Sequence, residues 1–577
     1  MKLILRYMRK YRGVVYGTVA LKLLATLTEL LIPYVMEHLL DNVAPQQQLA
    51  PVVVWGLSMI ALAALARVFN VRANRESVRV SKECAYEIRR DLFQKTLSLS
   101  GRQTDQVGLP SLTSRMTADS YNVQNFIRAI QTMGIRAPIM LVGGIAITLT
   151  MDVGLASILC VMAPVMIVVI MTVSRRGIPL YDGVQQSVDD IVRIMRENIT
   201  GIRVVKALSR EKHERNRFAR ANDTMARRDR KAGVVMALPG PLITLALNIG
   251  LTLVVIIGAR RVNAGVTQPG VILAFLTYFN MILMGVMGLN RIFMMLSKAN
   301  ASANRIQTVI DAEEDLTPIP ESQAARSSRA GSIVFDHVSF SYTGKTGEEQ
   351  LALKDIDFTL PAGGSLGIIG PTGCGKTTVI NLLMRFYDAT QGAVLVNGKD
   401  VRAWDKNALR RQFGVVFQND AVFADTLTEN IGFGRGMTAE QIEKAAREAQ
   451  AFDFIRQYAD GFDHRADIRG ANFSGGQRQR LLLSRALAGD PAILILDDAS
   501  SALDYRTDAH LRRAIQEGHR DTTTIIIAQR ISSIMNLDHI LVLDDGRILG
   551  QGTHQELMRT CPQYAEIYQT QMGEEDA

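Results

Sequence analysis

Up to about residue 300, long apolar stretches alternate with basic segments; beyond about residue 330, short apolar runs alternate with Gly-rich turns and charged helical patterns. Six stretches, residues 14–39, 51–71, 129–150, 154–173, 234–259 and 270–295, reach the roughly 20 mostly apolar residues that a helix needs to cross about 30 Å of hydrocarbon. Ahead of them, Leu3, Ile4, Tyr7, Met8 and Tyr11 recur at helical spacing with Lys2, Arg6, Arg9, Lys10 and Arg12 between. That pattern is read as a helix lying on the cytoplasmic membrane surface, the alternative being a frayed basic leader.

The basic residues set the topology. Residues 41–50 and 151–153 contain no Lys or Arg and are expected outside, whereas 72–115 and 175–231 are rich in both and are expected in the cytoplasm. Arg260 and Arg261, near the last outer turn, run against this rule without reversing a six-span arrangement with both ends inside. Apolar residues of the two cytoplasmic excursions recur at helical spacing, which predicts helices extending beyond the bilayer, with short docking elements within 105–121 and 206–218; plain solvated hairpins are the alternative.

Ionisable groups inside spans are costly and face a cavity or a partner. Lys22, Glu29, Arg67 and Arg136 are such groups, and the spacing of Lys22 and Glu29 places both on nearly one face of the first helix. They either line a transport cavity or pair with neighbouring helices. The last span carries Phe275, Tyr278, Phe279, Met281, Met284, Met287, Phe293, Met294 and Met295, side chains that suit either varied apolar ligands or ordinary helix packing.

Composition adds bounds. A chain of 577 residues exceeds one compact core. The net charge of +9 comes with basic blocks such as 210–231 beside apolar spans, so membrane lipid is the expected neighbour and nucleic acid is not. Cys84, Cys160, Cys374 and Cys561 lack metal-ligand or disulfide spacing and read as isolated thiols. The amino terminus has no short apolar core with a small-residue cleavage site, so a removable signal peptide is not expected.

The strongest chemical signal is Gly370-Pro-Thr372-Gly373-Cys374-Gly375-Lys376-Thr377-Thr378, which follows the apolar run 365–369 and precedes a helical pattern. This is a P-loop in its strand–loop–helix setting: glycines let backbone N–H groups cradle phosphates, Lys376 reaches the outer phosphates, and the Thr377 hydroxyl ligates Mg²⁺. A second apolar run, 492–496, ends in Asp497 and Asp498 and delivers a carboxylate to the magnesium site.

Between these lies Asn472-Phe473-Ser474-Gly475-Gly476-Gln477-Arg478-Gln479-Arg480, which resembles the signature motif of ABC ATPases with Phe473 where Leu is usual. Other family elements match in order: the aromatic A-loop residue at Tyr342, the Q-loop glutamine at Gln418, a further Mg²⁺ ligand, and a D-loop at Ser501-Ala502-Leu503-Asp504. The resemblance covers essentially the whole chain and is to the half-transporters of bacterial multidrug exporters. It implies an exporter-type α-helical transmembrane domain of six helices fused to an α/β P-loop ABC nucleotide-binding domain. The expected division is a surface helix at 1–13, the transmembrane domain at 14–310, a linker at 311–331 and the ATP-binding domain at 332–577, with no peptidase domain ahead of the surface helix.

In this family two nucleotide domains face head to tail, each ATP lying between one P-loop and the opposite signature motif, so a second half-transporter is implied. Two departures concern the chemistry. The family has Glu after the Walker B aspartate, where this chain has Asp498, and His before Arg530, where it has Gln529. A carboxylate on a stem one carbon shorter is displaced from the attacking water, and a neutral amide cannot take the states of an imidazole. Together they resemble the degenerate half of heterodimeric ABC exporters, with Ser474 to Gln477 intact to complete the partner's site. Ile468 stands where the family often has an X-loop Glu, and Cys374 replaces a common Ser, as a small residue or a redox group. The implied activity is export of small amphipathic compounds, drug-like, lipid or peptide, across a bacterial plasma membrane with ATP and Mg²⁺. Alternatives are an importer on the same fold, a homodimeric exporter and an ATP-gated regulatory membrane protein.

Overall fold

The computed structural model describes residues 1–316, 331–343, 350–499 and 502–572, so most of the 311–331 linker and Ser501 fall outside the described residues. The chain forms two compact units: Met1–Ser98 with Leu109–Ala312, and Leu99–Gly108 with Glu313–Ala577.

The first unit is helical: α1 (Lys2–Arg9), α2 (Arg12–His38), α3 (Leu49–Ser98), then, after α4 (Gly101–Val107), α5 (Leu109–Ser114), α6 (Ser120–Met151), α7 (Val153–Thr200), α8 (Ile202–Ala207), α9 (Glu211–Ala237), α10 (Pro239–Asn263) and α11 (Pro269–Ile310). Among the described residues, six helical segments are long and apolar enough to cross a membrane, matching the six predicted stretches. At 1.5 Å per residue the 50 residues of α3 run about 75 Å, more than twice the hydrocarbon thickness. The continuous apolar run ends well before the helix does, but apolar residues persist at helical spacing, with Val80, Cys84, Ile88 and Leu92 buried.

Local chemistry fixes the contacts. Leu3, Ile4 and Tyr7 of α1 are buried, while the Tyr7 hydroxyl donates to Asp91 at 2.8 Å and Lys10 and Tyr11 both donate to Glu87, tying the surface helix to α3. Arg261, which ran against the charge rule, donates to Asp152 at 3.0 Å; an ion pair at the turn neutralises it. Asp41 accepts the N–H groups of Gly270 and Val271 at 2.6 and 3.1 Å and so caps the start of α11. The aromatic and Met residues of α11 divide: Phe275, Tyr278 and Phe279 are fully buried packing groups, the Tyr278 hydroxyl donating to the Leu30 carbonyl at 2.6 Å, whereas Met284, Met287 and Phe293 are exposed.

Of the short helices in the excursions, α5 lies within the expected 105–121, whereas α4 and α8 begin ahead of the expected 105–121 and 206–218 and overlap only their first residues. The physical reason is local: Ser100 and Gln103 form a capping box that starts α4 and Gly108 ends it, while Gly201 precedes α8 and Ser209 leaves it in left-handed backbone. The stretch that follows each belongs to longer helices. Within the second unit α4 is held by Ser100 donating to Asp315 at 2.8 Å and by the Tyr387 hydroxyl donating to Asp105 at 2.5 Å.

The second unit is α/β. Strands β1 (Ile333–Phe340), β2 (Leu353–Leu360), β3 (Ser365–Ile369), β4 (Gln391–Val396), β5 (Lys399–Asp400), β6 (Phe413–Val416), β7 (Ile493–Asp497), β8 (Thr523–Ile527), β9 (His539–Asp544) and β10 (Arg547–Gly552) form two sheets. The larger has the order β10-β9-β3-β8-β7-β6, with β9, β3, β8, β7 and β6 parallel and β10 antiparallel at the edge. The smaller, β2-β1-β4-β5, is antiparallel. Strands of the parallel sheet read as continuous apolar runs because both faces are covered, and Ile493, Leu494 and Ile495 are indeed fully buried.

One buried cation stands out in this core. Arg385 is 0% exposed, donates to Asp388 at 2.9 Å and to the Arg402 carbonyl at 3.1 Å, and accepts from Arg410 on its own carbonyl at 3.1 Å. Removing one member of such a network strands the other charge, so Arg385→Ala is expected to destabilise this domain by about 3 kcal/mol. A clearly lowered thermal unfolding midpoint of the purified protein checks this; an unchanged midpoint would contradict it.

Candidate functional site

Parallel sheets present ligand sites at the carboxyl ends of their strands. The loop 370–375 leaves β3 there and leads into α12 (Lys376–Leu383), whose N-cap is Gly375 at φ 107. The backbone is drawn in tightly: a Cβ on Gly370 would lie 2.0 Å from the Leu543 carbonyl oxygen and 2.8 Å from Cys374 Sγ, and one on Gly375 would lie 2.9 Å from the Ala352 carbonyl oxygen. The Lys376 ammonium donates to the Gly370 and Pro371 carbonyls at 2.7 and 2.8 Å. Thr372, Gly373 and Thr377 face solvent. Cys374 is buried, and burial raises its thiol pKa against the opposing effect of Lys376.

The Thr377 hydroxyl donates to Asp497 Oδ2 at 3.2 Å, which joins the start of α12 to the end of β7. Asp497 is 3% exposed. Burial, with the neighbouring Asp498 charge, raises its carboxyl pKa; the Thr377 hydrogen bond and Lys376 oppose this. A hydroxyl and a carboxylate side by side are the hard oxygen donors that suit Mg²⁺, and they are the groups that would hold it. Val416 pairs with Leu496, so Gln418, exposed just beyond β6, leaves the same sheet end as Asp497.

Asp498 sits in left-handed backbone at φ 53, its N–H donating to the Ile527 carbonyl at 2.9 Å. Its Oδ2 accepts from the Gln529 amide at 3.2 Å, so the two residues that depart from the family pattern touch each other. Burial raises the Asp498 pKa, with Arg530 and Lys376 pulling it back. Tyr342 is partly exposed; its hydroxyl meets Thr378 Oγ1 at 3.1 Å, and its ring stands edge-on to Tyr387 with centroids 5.1 Å apart.

The signature segment is a helix start. Ser474 caps the 13-residue helix Gly475–Leu487, accepting from the Gln477 N–H at 3.2 Å while the Gln477 side chain accepts from the Ser474 N–H at 2.9 Å. An exposed helix N-terminus that opens with Ser474, Gly475 and Gly476 favours phosphate. Phe473 is 8% exposed among the rings of Phe454, Tyr458 and His464, so the bulkier residue is absorbed by an aromatic cluster. Ile468 is exposed. Asp504 caps the helix Tyr505–Gly518, and hydrogen bonds from Thr507 hold its carboxyl below the usual range.

Two residues to which the sequence assigns no individual role, Gln479 and Tyr387, join the site. Gln479 donates to the Asp498 carbonyl at 3.2 Å and accepts from the Ala502 N–H at 3.1 Å, linking the signature helix, the Walker B end and the D-loop. Its place one turn along the signature helix was the available signal; Tyr387 offered none. Lys22 and Glu29 lie in the first unit. Lys22 is 4% exposed and donates to Asn70 and Asn74 at 2.6 and 3.1 Å, and Glu29 pairs with Arg136 at 3.0 Å. Each is thus placed against a neighbouring helix.

Comparison with known proteins agrees with this geometry. The family described as ABC transporter transmembrane region matches residues 15–287, and that described as ABC transporter matches residues 353–501. An uncharacterized ABC transporter ATP-binding protein of Mycobacterium tuberculosis is 34% identical over 573 residues, 99% of this chain and 98% of that protein. The ATP-dependent lipid A-core flippase of Methylobacillus flagellatus is 31% identical over 525 residues, 91% of this chain and 87% of the flippase. A solved bacterial Atm1-family ABC exporter with ATP bound superposes with a TM-score of 0.80 at 26% identity, covering 97% of this chain and 98% of that one. With a six-helix membrane unit and a P-loop ATPase unit on one polypeptide, the chain belongs to the ABC transporter family as an exporter-type half-transporter that couples ATP hydrolysis to transport.

Proposed function

We propose that this chain is the degenerate-site subunit of a heterodimeric exporter that moves amphipathic compounds across a bacterial plasma membrane, its ATP-binding domain in the cytoplasm. The observation that carries the reading is the Asp498–Gln529 contact at 3.2 Å. The carboxylate in the general-base position has the shorter stem and is engaged by a neutral amide. A general base needs hydrogen-bond reach to its water, and about 1 Å of misplacement can cost roughly 100-fold.

Lys376, Thr377, Asp497 and Gln418 then hold ATP with Mg²⁺, the metal supplying charge neutralisation of the phosphates. Ser474, Gly475, Gly476 and Gln477 complete the P-loop site of the partner, where turnover is fast. ATP closes the two nucleotide domains, and the cytoplasmic helices carry that closure to the membrane helices, which expose the cavity outward. An amphipathic cargo accords with the exposed Met284, Met287 and Phe293 on α11 and with the lipid named for the Methylobacillus relative.

Purification from native membranes through a tag on this chain tests the assembly. The expected result is two different half-transporters in about equal amounts, with this chain alone turning ATP over slowly. A pair of identical chains with full activity would overturn it.

A further inference from the structure

The P-loop leaves the carboxyl end of β3, and a separate recess of about 490 Å³ lies at the opposite, amino ends of β3 and β8, where Ser365 and Thr524 pair in register and line it. One wall is the helix Tyr505–Gly518 with the turn beyond it, contributing Arg512, Arg513 and Arg520. The other is the segment 533–538, contributing Ser533, Asn536 and Asp538. The volume falls in the range of ligand pockets.

The charge of this recess is one-sided. Arg513 and Arg520 are exposed, and their side chains have no hydrogen-bond or ion-pair partner among the described residues. Arg512 donates to the Ser532 carbonyl at 2.7 Å and pairs with Asp508 at 2.7 Å, yet its Nε is buried and has no acceptor among the described residues. A buried donor left unmet is costly, so each such group calls for a reason. Asp538, the one carboxylate lining the recess, is already engaged, its Oδ2 accepting from the Ser365 N–H and hydroxyl at 2.9 and 2.7 Å. His519, also in the lining, meets Glu448 at 3.1 Å.

Guanidinium forks match phosphate oxygens, and two of them without a carboxylate suit a dianion. Thr524, Ser533 and Asn536 add hydroxyl and amide groups that suit a hydroxylated body. We infer that this recess binds a phosphomonoester of sugar-phosphate type and that the bound ligand ties its two walls together. Both walls run directly from segments at the nucleotide: the helix begins at the D-loop residue Asp504, and the segment 533–538 follows Gln529 and Arg530. The Arg512 to Ser532 hydrogen bond already crosses between them. A ligand held by both walls favours the arrangement in which they lie this close and slows a cycle in which they part.

The test uses the assembled transporter in phosphatidylcholine nanodiscs, with a non-hydrolysable ATP analogue and Mg²⁺ in excess so that both P-loops are filled. Titration calorimetry with ribose 5-phosphate is expected to show binding at least about tenfold tighter than ribose or inorganic phosphate. Arg513→Glu with Arg520→Glu is expected to weaken that binding at least about tenfold, and the corresponding Lys variants to retain most of it, which separates charge recognition from misfolding. At saturating ATP, ribose 5-phosphate is expected to lower steady-state turnover at least about twofold in the native transporter, and this response is lost in the Glu variant. No binding, binding no tighter than that of ribose, or binding untouched by the Glu variant would overturn the site. Inorganic phosphate binding as tightly as ribose 5-phosphate would overturn the hydroxylated body of the ligand. Binding with unchanged turnover would overturn the coupling of the two walls.

Discussion

Ser474→Arg is expected to lower ATP turnover of the assembled transporter by about 100-fold or more while this chain still binds ATP at its own P-loop. Ser474 is the cap of the signature helix, and its hydroxyl accepts the Gln477 N–H at 3.2 Å. The first N–H groups of that helix have no intrahelical partners and carry the positive end of its dipole. In the head-to-tail arrangement they face the nucleotide held by the partner, where the fast chemistry is assigned. An arginine there fills the space with a long side chain and removes the cap, and losing preorganised donors at a phosphate costs about 10²–10³ in rate. Steady-state phosphate release, read beside equilibrium binding of a fluorescent ATP analogue, checks both halves of the statement. Near-native turnover would mean that the working site does not use this signature.

Gly370→Ala is expected to weaken ATP binding to this chain's own site by about 100-fold. The added methyl would lie 2.0 Å from a backbone carbonyl oxygen, that of Leu543, which has no side-chain freedom to yield. The loop must shift, and with it the carbonyl that accepts from Lys376 at 2.7 Å. Displacement of about 1 Å in such a constellation is worth roughly 100-fold. Gly373→Ala is the internal control: its Cβ meets nothing within 4 Å, and its φ of 88 costs an alanine only about 1 kcal/mol of backbone strain. If Gly373→Ala weakened nucleotide binding more than Gly370→Ala, the close approach to β9 would not be what shapes the loop.

Much of this architecture was legible in the chain because it rests on local patterns. Apolar runs of membrane length announce the six spans, and the P-loop, signature and Walker B segments lie where strand–loop–helix patterning places them. That α3 and α7 run on beyond the apolar zone was legible too, from the helical spacing of apolar residues in the two excursions, whereas the residue at which each helix ends was not. The short helix α4 starts before the stretch that the sequence pattern picked out, because the capping residues Ser100 and Gln103 decide where it begins and periodicity does not register them. Tertiary pairing was not legible at all. Nothing local ties Lys22 to Asn70, Arg261 to Asp152 or Gln479 to the carbonyl of Asp498. The choice between ligand contact and packing for the α11 aromatics likewise awaited burial, which separates Phe275 from Phe293.

The most direct test is ATP turnover by the assembled transporter carrying Asp498→Asn. If this chain clamps one nucleotide with little chemistry, the steady-state rate stays within about twofold of native, because the removed carboxylate is already short and held by Gln529. A loss of about 100-fold would show Asp498 to be a working general base and would contradict the division of labour between the two sites.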